Sequence, residues 1–312
     1  MKHSPLISVI VPTYNRGYII IEALKSIVAQ TLQNFEIIVV DDGSTDNTRE
    51  IVEAFPDARI RYIKHEENKG LATALNTGFR AARANFLAEL STDDTWTKTD
   101  MLELCYNKLY SSPQDVGGVY VGIQKSNIDG SERFSPSEDV EPKEGFLYEL
   151  FLEGNFTGFQ AMVLKKTAFE AVNGVDENLL ALQDWDFLIR FSKAHKLLYI
   201  PEVMVKIPIL EDSITKNQKK RLLYREAIFN KHLEEFRKRP QLFEAHAYRI
   251  GNAYALLGNM DKARKYLYMA FAAQPHNIKY MGAFLLSLLH SHTIYKKAGQ
   301  LHYTRLNKKE RD

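Results

Sequence analysis

Cysteine is nearly absent: Cys105 is the only one in 312 residues. An intrachain disulfide and a cysteine cluster for structural zinc are thereby excluded, and a reducing compartment is the simple expectation. Long apolar runs are missing too, since no stretch reaches the roughly 18 uncharged residues that a membrane-spanning helix needs. Charge of one sign is scarce, with 41 Lys plus Arg against 39 Asp plus Glu and a net charge of +2. Domains that hold nucleic acid by bulk electrostatics carry a strong basic excess, so no nucleic-acid partner is expected. The opening Met1-Lys2-His3-Ser4-Pro5 runs straight into Leu6-Ile7-Ser8-Val9-Ile10-Val11 without the longer apolar stretch and small-residue cleavage site of a signal peptide. A cytoplasmic protein is expected, with peripheral contact at the inner membrane surface left open. Neither G-x-G-x-x-G after the first strand nor G-x-x-x-x-G-K-[ST] occurs, which argues against a dinucleotide enzyme and a P-loop NTPase.

What is present is apolar content of 45%, enough for a real core and too much for a disordered chain. To about residue 125, short β-branched runs alternate with longer helix-period segments, the pattern of βαβ units and a mainly parallel sheet. Strands are predicted at 7–11, 36–40, 60–63, 86–90 and 116–123, and helices at 19–29, 45–54, 71–83 and 100–110. Runs such as Ile37-Ile38-Val39-Val40 are continuously apolar because strands of this kind are buried on both faces. Ligands of open parallel sheets bind beyond the carboxyl ends of the strands. There the polar clusters fall: Pro12-Thr13-Tyr14-Asn15, Asp41-Asp42-Gly43-Ser44 and Ser91-Thr92-Asp93-Asp94.

The stretch 125–143 is rich in Ser, Asp, Glu and Pro and is predicted as a turn and loop. Beyond it come a helix at 146–152, a strand at 161–164, a helix at 184–193 and strands at 197–200 and 203–209. From about residue 216 strand signals stop, and helices are predicted at 218–238, 242–257, 260–273 and 278–290. Gly251, Tyr254, Gly258, Ala263, Tyr266, Ala270 and Pro275 have the spacing of one tetratricopeptide-like helix-turn-helix unit. One such unit cannot bury its own face and must pack on something else. The segment 281–290 is expected to be buried packing rather than interfacial. From Lys296 the tail has six cations (Lys296, Lys297, Arg305, Lys308, Lys309, Arg311) against Glu310 and Asp312. It reads as a solvated tail, with an anionic membrane as the sharper alternative.

Adjacent carboxylates at a strand end, Asp93-Asp94, repel one another unless a hard cation is present. Mg²⁺ or Mn²⁺ suits, taking one or two carboxylates and filling the rest of its shell with phosphate oxygens and water. The plain alternative is that one of them caps a helix beginning near Thr97. Asp41, after a fully apolar strand, stands where a carboxylate can meet a nucleobase or a ribose, while Asp42 to Asp46 also reads as a turn and helix cap. Gln183-Asp184-Trp185-Asp186 opens a helix. A carboxylate there beside an aromatic platform for a sugar ring suits a general base for an acceptor hydroxyl, the alternative being a capping Asp184 and a core Trp185.

Taken in order, these pieces resemble the family 2 glycosyltransferases, the inverting group of GT-A fold that uses nucleotide-diphosphate sugars. The residues are Ser8 to Arg16, Gln30-Thr31, Phe35 to Asp46, Asn68-Lys69-Gly70, Ala74, Asn76, Gly78, Thr92-Asp93-Asp94, Asn173 to Glu177 and Gln183 to Asp186. The resemblance runs from residue 6 to 215 and implies a GT-A-like α/β domain at 1–215, its mainly parallel nucleotide-binding sheet flanked by helices. Residues 216–312 would form an α-helical C-terminal region. It implies that Pro12, Thr13, Tyr14, Asn15, Asp41, Lys69, Gly70, Thr92 and Asp93 bind the donor, most often a UDP-sugar, and that Asp93 with Asp94 holds Mn²⁺ or Mg²⁺. Asp184 would be the catalytic base for a single in-line displacement and Trp185 would face the acceptor, a glycan or lipid-linked group of surface polysaccharide synthesis. Three positions depart from the family: Ser91 where an Asp is common, Gln183 where a Glu is common, and Pro208 and Leu210 where many members have an Arg and a His before Asp212-Ser213-Ile214-Thr215. Weaker metal binding, or a ligand supplied from elsewhere, is the expected consequence. The alternative is a catalytically silent sugar-nucleotide-binding or scaffold protein that works through its helical region.

Overall fold

The computed structural model describes residues 4–127, 129–141, 143–179, 181–208, 218–289 and 291–297. The chain separates into two units, Met1–Ser213 and Ile214–Asp312. The expected boundary at 215 and the positions Leu210, Asp212, Ser213, Ile214 and Thr215 lie outside the described residues, as does the tail beyond residue 297.

The first unit is α/β. Its strands are β1 (Ile7–Thr13), β2 (Phe35–Asp41), β3 (Ile60–Lys64), β4 (Phe86–Glu89), β5 (Thr95–Trp96), β6 (Val116–Ser126), β7 (Glu132–Ser135), β8 (Met162–Lys165) and β9 (Lys196–Pro208). Its helices are α1 (Ile20–Val28), α2 (Thr48–Glu53), α3 (Leu71–Ala81), α4 (Met101–Tyr110), α5 (Tyr148–Glu153), α6 (Lys166–Ala171) and α7 (Gln183–Ala194). The nine strands form one sheet in the order β3-β2-β1-β4-β8-β6-β9-β5, with β7 paired to β6. Strands β3, β2, β1 and β4 are parallel, as their helical crossovers require; β1 and β2 are fully buried, whereas β3, at the edge of the sheet, is only half-buried. Beyond them β8 enters antiparallel to both β4 and β6, while β6 and β9 run parallel, so this half of the sheet is mixed.

The helices pack on both faces. On one face Val9, Val11, Ile37, Val39, Ala88, Val119 and Val163 meet Ile20, Leu24, Ile27, Met101, Leu102 and Cys105 of α1 and α4. On the other, α3 lies so close to β1 that a Cβ at Gly78 would stand 2.5 Å from a methyl of Ile10. There Phe79, Phe159, Phe169, Phe187 and Phe191 form a chain of ring contacts that seats α7.

Three elements differ from the sequence expectation. The 125–143 loop contains the end of β6 and all of β7, joined by a turn in which the Gly130 N–H donates to the Asn127 carbonyl at 3.0 Å. Its strand residues are polar because β7 lies on an exposed edge. Residues 95–96 form β5 against β9, and α4 begins only at Met101, so neither Asp93 nor Asp94 caps a helix at Thr97. The two strands predicted at 197–200 and 203–209 are one strand with irregular register against β6.

The second unit is helical: α8 (Gln218–Lys231), α9 (Leu233–Arg237), α10 (Pro240–Leu256), α11 (Met260–Ala273) and α12 (Ile278–Leu288). The helix predicted at 218–238 breaks at His232, which turns Phe236 back onto Phe229 and His246. Helices α10 and α11 form the expected helix-turn-helix, with Gly258 left-handed in the turn and Gly251 where the helices cross, its Cβ position 2.8 Å from the Leu267 nitrogen. What covers the pair is α8, through buried Glu226. That carboxylate accepts from the Tyr254 hydroxyl, from the Tyr266 hydroxyl at 2.8 Å and from the Lys262 ammonium at 2.8 Å. Helix α12 departs from its expected burial: Tyr280, Ala283 and Ser287 face inward while Ile278, Met281, Leu285, Leu288 and Leu289 stay exposed.

Candidate active site

The clusters after β1 and β2 are stitched into one rim. Asn15, left-handed at φ 52°, donates its N–H to the Ser44 hydroxyl at 2.8 Å, and its side-chain oxygen accepts from the Thr45 N–H at 2.8 Å and the Asp46 N–H at 3.3 Å. Asp46 in turn accepts from the Thr48 N–H and hydroxyl at the start of α2. Asp42 grips the next loop. Its oxygens accept from the Lys69 N–H at 2.9 Å and the Gly70 N–H at 2.7 Å, and His65 Nδ1 lies 2.7 Å away. Gly43 must be glycine: φ is +81° and a Cβ would stand 2.6 Å from the Glu67 carbonyl carbon.

Within this rim the predicted donor residues divide. Pro12 and Thr13 end the buried strand β1, and the Thr13 hydroxyl has no hydrogen-bond partner among the described residues. Tyr14 is exposed. Lys69 is held by its backbone, and its exposed ammonium has no partner among the described residues. Asp41 is placed differently from the expectation. It is fully buried, one oxygen accepts from the Ser44 N–H at 2.7 Å, and the other accepts from the Tyr62 hydroxyl. A nucleobase reaches Asp41 only by displacing Tyr62, so in this state Asp41 shapes the turn. Asn15, likewise, spends its acceptor on backbone N–H groups.

The carboxylates collect after β4. Thr92 and Asp94 are buried, and the Asp94 N–H donates to the Ser91 carbonyl at 3.0 Å, closing a turn that leaves Asp93 half-exposed. The Asp93 carboxylate accepts no hydrogen bond among the described residues. Asp184, whose charge like that of Asp93 reaches Glu89, stands in the first turn of α7, entered through Leu182 in the left-handed conformation. Its two oxygens accept from the Trp185 N–H and the Asn155 side-chain amide, each at 2.8 Å. Leu182 rather than Asp184 occupies the cap position, so simple capping does not account for this carboxylate.

Two residues that sequence reasoning missed complete the site. Glu89 is buried on β4 and accepts from the Ser91 hydroxyl at 2.8 Å. Burial, partly offset by that bond and reinforced by the charges of Asp93 and Asp184, pushes its carboxyl up to about 8. Lys125, at the end of β6, is the cation that acts on both Asp94 and Asp184. Burial and the neighbouring Asp93 and Glu89 hold Asp94 well above the usual carboxylate range against the pull of Lys125. Burial also raises Asp184, with the Trp185 N–H, Asn155 and Lys125 acting in the opposite direction. Glu89 is the nearest substitute for the carboxylate absent at Ser91, but it lies one strand pleat deeper.

Trp185 corrects an expectation. It is buried, and its indole N–H donates to the Phe151 carbonyl at 2.6 Å, so the ring belongs to the α5–α7 packing and presents no face to an acceptor. The helix period turns residue 185 inward when 184 faces the site. Asn155, from the loop 154–160, is the residue of that neighbourhood which reaches Asp184.

A divalent cation fits the donor set. Asp93 offers an unengaged carboxylate beside a second, and no group of three or more His, Cys, Asp or Glu side chains is assembled among the described residues. One or two carboxylates are what an ion completed by substrate phosphates and water takes from a protein.

Comparison with known proteins agrees with this geometry. The model of glycosyl transferase family 2 matches residues 8–170, and the chain belongs to that family. It is similar to an uncharacterized glycosyltransferase of Rickettsia typhi, 30% identical over 244 residues that cover 77% of this chain and 75% of that protein. GlyG of Streptococcus pneumoniae is 45% identical over 116 residues, 36% of this chain and 38% of GlyG. The match to that relative thus spans well under half its length. Among solved structures, S. aureus TarS 1-349 in complex with UDP-GlcNAc superimposes with a TM-score of 0.67 at 18% identity, over 94% of this chain and 91% of that one, a likeness of fold.

Proposed function

We propose that the chain is an inverting glycosyltransferase that moves a sugar from a nucleotide-diphosphate donor, a UDP-sugar, to an acceptor hydroxyl. The observation that carries this reading is Asp184, a carboxylate raised by burial, fixed by two hydrogen bonds, and sharing Glu89 as an electrostatic neighbour with Asp93 and Lys125 with Asp94. A raised carboxylate is a better general base at neutral pH than a solvated one. Asp184 takes the proton of the acceptor hydroxyl as its oxygen forms the new bond to the anomeric carbon. The bond from that carbon to the diphosphate oxygen breaks on the opposite side, so the configuration inverts. Asn155 holds Asp184 in place, and Lys125 steadies the negative charge shared by the site. A Mn²⁺ or Mg²⁺ ion held by Asp93, with Asp94 behind it, would supply positive charge to the departing diphosphate.

The Thr13 hydroxyl, the Gly70 turn and the exposed Lys69 border the donor side, Lys69 within reach of phosphate. The UDP-GlcNAc complex of TarS supports a uridine nucleotide as donor. The acceptor is a glycan or lipid-linked intermediate of surface polysaccharide synthesis, met at the cytoplasmic face of the membrane. That contact is read as peripheral; among the described residues no helix is long and apolar enough to cross a bilayer.

The test is Asp184→Asn. Turnover should fall on the order of 10²- to 10⁴-fold, while the affinity for UDP, read by calorimetry, changes less than about threefold. A variant with near-full turnover would remove Asp184 from the role. Slow hydrolysis of the donor by the wild type, without acceptor, would separate this enzyme from a silent binding protein.

A further inference from the structure

Helix α12 carries apolar side chains on the wrong side for packing. Tyr280, Ala283 and Ser287 are buried against the other helices of the second unit, yet Ile278, Leu285 and Leu289 are 79%, 53% and 58% exposed, with Met281 and Leu288 exposed beside them. At 100° per residue these five positions fall in one stripe about 100° wide, on the side of the helix roughly opposite its buried face. Single exposed leucines are ordinary; four apolar side chains along one line of an 11-residue helix, continued by Leu289 at its C-cap, form a surface.

Charge indicates what covers that surface. Helical residues resume after α12, where Lys296 and Lys297 are exposed. From residue 296 to 312 the sequence holds six cations against two anions. An apolar stripe followed at once by a cationic segment complements an anionic lipid surface, in which acyl chains receive the leucines and headgroups receive the lysines. At 11 residues α12 is too short to cross a bilayer and would lie along it. We propose that the α12 stripe, with Lys296 and Lys297 beyond it, is a docking surface for an anionic membrane. The proposal rests on the membrane-side reading given above and assigns that contact to named residues.

Sedimentation of the full chain with vesicles, without donor or acceptor, tests it independently of transfer. Wild type should bind vesicles of phosphatidylglycerol and phosphatidylcholine, bind pure phosphatidylcholine weakly, and be released by raised salt. The double variant Leu285→Glu with Leu289→Glu should lose on the order of tenfold or more in partitioning, with helical circular dichroism unchanged because both side chains face solvent. Lys296→Glu with Lys297→Glu should lose the preference for phosphatidylglycerol while keeping the stripe. Absence of wild-type binding, or equal binding by the double leucine variant, overturns the proposal. So does a wild-type dimer, broken by the leucine changes, that takes up no vesicles, since the stripe would then belong to a second copy. None of these outcomes touches the assignment of Asp184, which turnover reads separately.

Discussion

Replacing Glu89 by glutamine makes the cost of its burial measurable. The folded chain holds this carboxyl at about 8 where an unperturbed one sits at 4.5. A carboxyl raised on folding contributes stability that is full below the unfolded value and is lost as pH rises through the folded one. The gap of about 3.5 units corresponds to about 5 kcal/mol between the two extremes, at 1.36 kcal/mol per unit. The glutamine side chain cannot ionise, yet its oxygen can still accept from the Ser91 hydroxyl. The stability advantage of Glu89→Gln should therefore be under about 1 kcal/mol at pH 5, about 3 kcal/mol at pH 7 and near 5 kcal/mol at pH 9. Urea unfolding followed by tryptophan fluorescence suits the measurement, because both tryptophans, Trp96 and Trp185, are buried in the first unit. A chelator in the buffer keeps divalent cations from neutralising the site. If the stabilities of wild type and variant keep a constant difference from pH 5 to 9, Glu89 is not the buried titrating group and the electrostatic description of the site is wrong.

Two further outcomes are expected. UDP should bind the wild type more tightly with Mn²⁺ than without, and Asp93→Ala should abolish that gain; an Asp93→Ala protein that keeps the Mn²⁺ enhancement in calorimetry would move the ion elsewhere. In the second unit, Glu226→Ala removes an acceptor shared by two tyrosine hydroxyls and the Lys262 ammonium, leaving Tyr266 its contact with Asn230 and Lys262 its bond to the Tyr254 hydroxyl. It should cost about 1 to 3 kcal/mol, seen as a lower melting temperature of the helical signal, with the tryptophan-reported transition of the first unit as the internal control.

The strand ends were readable because fully buried strands are unbroken apolar runs and the polar residues that interrupt them are few. Hence the clusters at 12–15, 41–44 and 91–94 could be located from spacing alone, and the segment that bears Asp184 from resemblance. What escaped depends on pairing. Glu89 sits inside a run that looks like any strand, and only its register opposite Ile10 fixes which face of the sheet it occupies. Lys125 belongs to a polar stretch whose strand character comes from β9 and β7 on either side. The fate of Trp185 required the phase of a helix, which an N-terminal boundary wrong by one residue reverses. The sheet itself reads as parallel from its first four strands, since nothing local to residues 162–165 announces that β8 enters the other way.

Asn76 is a small residue of α3 with a long reach in sequence. Its amide donates to the Val175 carbonyl and to Glu177, each at 2.8 Å, and its oxygen accepts from the Val175 N–H at 3.0 Å. Helix α3 starts at the Gly70 turn on the donor rim, and residues 175–177 lead into the helix that bears Asp184. For anyone recombining members of this family, that makes residue 76 a seam. A hybrid joined between the donor-side and base-side segments inherits one half of the seam from each parent, and its two reacting partners stay aligned only if the residues at 76 and 175–177 come from the same one.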